Sequence, residues 1–129
     1  IFGEQYIFAA MYTMLIKGNT DLKVESKTGL GGTKICFDAL TNNQIDMYPE
    51  YTGTGLLVIL QTPDSIVSGF KNNRKEIYDY VKKEFEKRYH LEWLKPIGFD
   101  NSYALMMRKA ESEKLGIKSI SDLKNHLNK

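Results

Sequence analysis

The chain has 129 residues, 42% of them hydrophobic and 26% charged, the size and composition of one ordinary globular domain. Eighteen basic residues stand against 16 acidic ones, and a net charge of +2 leaves no electrostatic footprint for nucleic acid or an anionic membrane. A single cysteine, Cys36, excludes an internal disulfide, and the distant His90 and His126 make no metal site with it.

In chain order, Glu4 to Lys17 reads as a helix, because Ile7, Phe8, Met11, Met14 and Leu15 recur at three- and four-residue spacing. Gly18-Asn19 is its stop signal. Leu22, Val24 and Ser26 alternate with charged neighbours, which predicts a strand over 22–28. Gly29-Leu30-Gly31-Gly32 is a tight loop before a short helix that starts near Thr33 and carries Ile35, Phe37 and Leu40. Ile45-Asp46-Met47-Tyr48 predicts a second short strand, and the loop Tyr51-Thr52-Gly53 leads into an apolar helix around Leu56 to Leu60. That run of five is too short for a membrane span, which needs about 20 apolar residues. Thr62-Pro63-Asp64-Ser65 is a turn of helix-capping type.

Asn73 to Tyr89 is the plainest helix, with Ile77, Tyr78, Val81 and Phe85 on one stripe and charges elsewhere. Leu91 to Phe99 and Ser102 to Arg108 predict two strands around the turn at Gly98 to Asn101. A short helix over Ala110 to Leu115 follows, then a last one opened by Ser119 or Ser121 as N-cap. Strands alternating with helices predict an α/β layer fold with a largely parallel sheet. The chain opens at Ile1-Phe2-Gly3 without a Met and closes within a helix, so it reads as a trimmed portion of something longer.

Three stretches invite chemistry. Gly29-Leu30-Gly31-Gly32-Thr33-Lys34 has the context of a phosphate loop but the spacing of neither GxxxxGK[ST] nor GxGxxG, so we read no nucleotide cofactor there. Its glycines serve backbone geometry. Asp46 and Glu50 are close enough in sequence to form an acid/base pair of an α/β enzyme, yet nothing around them predicts the perturbed pKa such a pair needs. Tyr51 and Tyr103 lie where predicted strands meet loops, and tyrosine faces attract quaternary ammonium groups. Tyr78 and Tyr89, on the amphipathic helix, read as packing residues instead.

Phe37-Asp38-Ala39-Leu40 followed by Gln44-Ile45-Asp46-Met47-Tyr48-Pro49-Glu50-Tyr51-Thr52-Gly53-Thr54 resembles a signature of the glycine betaine/carnitine/choline-binding proteins of osmoprotectant ABC importers. Phe2-Gly3-Glu4-Gln5, Gly31-Gly32-Thr33, Gly98-Phe99-Asp100-Asn101-Ser102-Tyr103-Ala104-Leu105 and Ser119-Ile120-Ser121-Asp122-Leu123 match further segments of that family in order, so the resemblance spans the chain. It implies a type II periplasmic-binding-protein fold of two α/β lobes that close over ligand. Residues 1–105 would be the N-terminal part of the first lobe, and 106–129 the crossover and start of the second.

The resemblance further implies no enzyme and no metal. It implies an extracytoplasmic protein, free, lipid-anchored or fused to a permease or sensor, that hands a quaternary-ammonium solute to a membrane ABC permease. Tyr51 and Tyr103 would wall the trimethylammonium, and Gln5 and Thr54 would hold the ligand's other end. Relatives dedicated to choline tend to carry Asp where Thr54 stands. A carboxylate there would repel glycine betaine or carnitine, whereas a threonine hydroxyl donates to their carboxylates. Gly3 stands where the family usually has Thr, which removes a hydroxyl near the ligand's entry. With the rest of both lobes absent, apolar surface and sheet edges left uncovered favour self-association of the isolated chain.

Overall fold

The computed structural model describes residues 3–101 and 104–128. The chain divides into two compact units, Ile1–Leu94 and Lys95–Lys129.

In the first unit, α1 spans Glu4–Asn19 and α2 spans Thr33–Thr41. A helical segment α3, Thr52–Thr54, continues directly into a π-helical turn, Gly55–Ile59. The widened turn shows in Leu60 N donating to Gly55 O at 2.9 Å, five residues back. Next come α4, Asp64–Val67, its 3₁₀ extension Ser68–Phe70, and α5, Arg74–Tyr89. Asn73 caps α5 by accepting from Lys75 N at 3.1 Å and Glu76 N at 3.3 Å, and Glu76 returns the contact by accepting from the Asn73 amide at 2.6 Å. His90 ends α5 in the left-handed region, with φ 57°.

The core forms where the π-helical turn meets α5. Leu56, Leu60, Val81 and Phe85 are buried together, with Val81 wholly inaccessible. Phe85 is surrounded by Phe37, Tyr89 and Trp93 with ring centroids at 6.0, 5.5 and 5.2 Å, all edge to face. Phe37 thereby brings α2 onto the same core. Tyr78 donates its hydroxyl to the carbonyls of Trp93 and Leu94, at 3.1 and 2.9 Å, tying the segment after α5 back along the helix. Tyr78 and Tyr89 are therefore packing residues, as expected from their place on the amphipathic helix.

In the second unit, α6 spans Lys109–Leu115 and ends at Gly116 with φ 67°. Ser119 is the N-cap of α7, Ile120–Leu127, accepting from Asp122 N at 3.1 Å. Asp122 accepts from Lys118 N at 3.0 Å, and these backbone and hydroxyl donors hold its carboxyl below the usual range.

The strands differ from expectation. The segments 22–28, 45–48, 91–99 and 104–108 form no β-ladder, and every regular element among the described residues is helical. Residues 102 and 103 of the expected fourth strand lie outside the described residues. The alternation in Leu22, Val24 and Ser26 is a local pattern, but a strand is completed by hydrogen bonds to a neighbouring strand, which a local pattern does not supply. Residues 22–28 and 45–48 instead form walls of a cavity.

Candidate functional site

That cavity has a volume of about 670 Å³ and lies within the first unit. It is of the size that encloses small organic ligands. One wall is a face of α1, presenting Gln5, Tyr6, Ala9, Tyr12, Thr13 and Ile16 at helical spacing. The rest of the lining comprises the stretch from Leu22 to Thr33, Cys36 of α2, and the segment from Ile45 to Tyr51 with Thr54.

The glycine loop earns its place here by backbone shape. Gly29 and Gly31 have φ of 75° and 125°, conformations that a side chain disfavours, and Gly32 caps α2 with extended backbone. This is the conformational reading of the loop.

Three of the four residues singled out for ligand contact, Gln5, Tyr51 and Thr54, line this one cavity, and all three are half-buried. Helix α1 supplies Gln5. The residue preceding α3 supplies Tyr51, and α3 itself supplies Thr54 one turn on. Tyr103, the fourth, lies outside the described residues. Tyr51 donates its hydroxyl to the Glu4 carboxylate, a contact between the first turn of α1 and a residue 47 positions later. Gly3 opens α1 and accepts from Tyr6 N at 3.2 Å.

Glu50 is the most perturbed carboxylate of the cavity. It accepts from Tyr51 N at 2.8 Å and hydrogen-bonds the side chains of Thr33 and Tyr48. Burial nevertheless dominates and pushes its carboxyl above the ordinary glutamate value. The same burial, reinforced by Glu50, drives the Tyr48 phenol far up, so it stays protonated. Cys36 is half-buried beside them, and burial with the nearby Glu50 charge raises its thiol, the reverse of what a nucleophilic thiolate needs.

Asp46, the other member of the suggested acid/base pair, is exposed on the cavity's lining. Among the described residues no group of His, Cys, Asp and Glu is placed to hold a metal ion. No helix among them is long and apolar enough to cross a membrane.

The lining combines Tyr6, Tyr12, Tyr48 and Tyr51 with hydroxyl- and amide-bearing side chains such as Gln5, Thr13 and Thr54, a mixture that can hold a small polar solute. The family described as the substrate-binding domain of the ABC-type glycine betaine transport system matches residues 1–129. The chain belongs to this family. Its members have the type II periplasmic-binding-protein fold.

Three relatives are similar over nearly all of the chain. The ergothioneine transport permease/ergothioneine binding protein EgtU of Helicobacter pylori is 32% identical over 125 residues, 96% of this chain and 21% of that protein. The carnitine transport binding protein OpuCC of Listeria monocytogenes is 33% identical over 122 residues, 94% of this chain and 38% of that protein. A glycine-betaine-binding protein of Pseudomonas aeruginosa is 35% identical over 123 residues, 95% of this chain and 36% of that protein. The chain thus spans between a fifth and two-fifths of the length of these relatives. No solved structure matches it significantly.

The Tyr51–Glu4 contact and the hydrogen bonds around Glu50 were absent from the sequence reading. Glu4-Gln5 and Glu50-Tyr51 are each adjacent pairs within matched segments, which is the one signal that could have suggested them.

Proposed function

We propose that this chain is the N-terminal part of the first lobe of an extracytoplasmic solute-binding protein that captures a trimethylammonium zwitterion for an ABC permease. Residues 1–105 belong to that lobe, and 106–129 are the crossover and the start of the second. In the whole protein, two α/β lobes close over the ligand by a hinge motion, and segments such as 22–28 and 45–48 find sheet partners. Binding, not catalysis, is its activity.

The observation that carries this reading is the convergence of Gln5, Tyr51 and Thr54 on one cavity in a chain of this family. Tyr51 offers its ring face to the trimethylammonium, a contact of about 0.5–2 kcal/mol, and Tyr103 supplies a second wall. Thr54 and Gln5 donate to the ligand's carboxylate. The solutes in the names of the three relatives share this chemistry, since ergothioneine, carnitine and glycine betaine each combine a trimethylammonium with a carboxylate. Choline, which has a hydroxyl in place of the carboxylate, gives Thr54 less to bind and ranks below them.

A second reading keeps the site and changes its setting. The Helicobacter relative is named as both permease and binding protein, so the same domain here can be one part of a permease chain.

Calorimetry on the whole protein with glycine betaine, carnitine, ergothioneine and choline tests the proposal. At least one zwitterion is expected to bind more tightly than choline. Tyr51→Ala is expected to weaken that ligand about tenfold or more while the protein stays folded, in line with the loss of one cation–π wall and its packing. Tight binding of choline alone would overturn the zwitterion assignment. An unchanged affinity in Tyr51→Ala would overturn the site.

A further inference from the structure

We infer that Glu4 is a positioning and polarising residue for Tyr51: its carboxylate accepts the Tyr51 hydroxyl and so sets both the angle and the electron density of the ring that faces the cavity. The inference rests on the proposed role of Tyr51 as an ammonium wall and adds a specificity device to it.

Three observations lead to this. First, the contact is long-range. Glu4 lies in the first turn of α1 and Tyr51 immediately before α3, so one hydrogen bond joins two walls of the cavity. Second, Glu4 is half-buried and is not among the residues that line the cavity, although its neighbour Gln5 is, so the carboxylate holds the hydroxyl end of the ring from outside the lining. Third, the backbone of Tyr51 is held independently, with its N–H donating to Glu50 at 2.8 Å and its carbonyl accepting from Gly55 N at 2.9 Å. The main chain is therefore fixed at this residue from both sides, and the hydroxyl contact fixes the far end of the ring.

A phenol that donates to an anion gains electron density, and charge-assisted hydrogen bonds of this kind are the stronger ones. The gain is delivered to the π face, whose negative potential is what attracts a quaternary ammonium. A ligand with a cationic head is favoured over a neutral one of the same shape. Glu4 hydrogen-bonds Tyr51 and lies outside the cavity's lining, so its effect passes through the tyrosine.

The test compares glycine betaine with 3,3-dimethylbutanoate, which has the same shape and carboxylate but carbon in place of the charged nitrogen. Affinities are measured on the whole protein by calorimetry and by displacement. Glu4→Gln is expected to reduce the preference for betaine over the carbon analogue by about three- to tenfold, the scale of a perturbed cation–π contact. A purely structural role would weaken both ligands alike and leave the preference intact. In a Tyr51→Phe background, which lacks the hydroxyl, Glu4→Gln is expected to add nothing. The inference is overturned if Glu4→Gln leaves the preference unchanged, or lowers it equally in the Tyr51→Phe background. Tyr51→Ala separates the two levels. If betaine binding survives that change, the ammonium wall itself is wrong and this inference falls with it. If binding is lost while Glu4→Gln is silent, only the polarising role fails.

Discussion

At the scale of single residues, the densest chemistry lies beside the tyrosine and not on it. Glu50 receives hydrogen bonds from a backbone N–H and has two hydroxyl-bearing neighbours, yet burial outweighs them and raises its carboxyl above the ordinary value of 4.5. Tyr48 and Cys36, the titratable groups that face it, are both held neutral and supply no compensating positive charge. The sign of the consequence follows from proton linkage. The native state binds the Glu50 proton more tightly than the unfolded chain does. The stability Glu50 contributes is therefore fully present below the unfolded value and is lost as pH rises through the higher native one. Glu50→Gln removes this titration. Its stability relative to the wild type is expected to rise as pH increases above the ordinary glutamate value, read from denaturant midpoints at a series of pH values. A difference that stays flat or falls across that range would show that hydrogen bonding, not burial, governs this carboxylate.

At the scale of elements, the two glycines of the Tyr51-Thr52-Gly53-Thr54-Gly55 run do different jobs. A Cβ on Gly55 would meet the Trp93 ring at 2.7 and 3.0 Å and Val81 at 3.2 Å, whereas one on Gly53 would meet nothing within 4 Å. Trp93 is itself packed on Phe85, so it has little room to retreat. Gly55→Ala is expected to destabilise by about 1–3 kcal/mol, the usual range for overpacking. Gly53→Ala, in open helical surroundings, is expected to be neutral or to stabilise by up to about 1 kcal/mol. Thermal or denaturant unfolding of the pair checks the contrast, and equal effects would refute it. The same stretch shows what sequence patterns reveal. Helix α5 was readable because its stripe is long and its Asn73 start is a local signal, and the same holds for Ser119 before α7. The packing of Trp93 against Gly55 was not readable, because it joins residues 38 apart and Trp93 sat in an expected strand. The strands failed for a related reason: pairing is non-local, so alternation alone does not build it. Gln5, Tyr51 and Thr54 were named through family motifs, since a tyrosine beside a loop has no ligand signature of its own. The link from Glu4 to Tyr51 depends on three-dimensional folding and had no local signal.

At the scale of the whole molecule, α1 presents an inconsistency between pattern and placement. An apolar stripe of this spacing ordinarily faces a core, yet Ile7, Met14 and Leu15 are 61%, 74% and 58% exposed. The helix turns a milder face, through Ala9, Thr13 and Ile16, to the cavity. Phe8 alone of the expected stripe is half-buried. Apolar side chains spaced at 7, 11, 14 and 15 form a continuous strip, and strips of this kind on isolated chains mark association surfaces. Residues 1–129 expressed by themselves are therefore expected to elute from size-exclusion chromatography ahead of a monomer, with the oligomer fraction growing with concentration. Met14→Lys with Leu15→Glu places charges on the centre of the strip and should shift the chain toward monomer. Because both positions point away from the cavity, the change leaves its lining intact. A wild-type chain that stays monomeric at high micromolar concentration, or an oligomer indifferent to the paired substitution, would mean that this face is not what drives association.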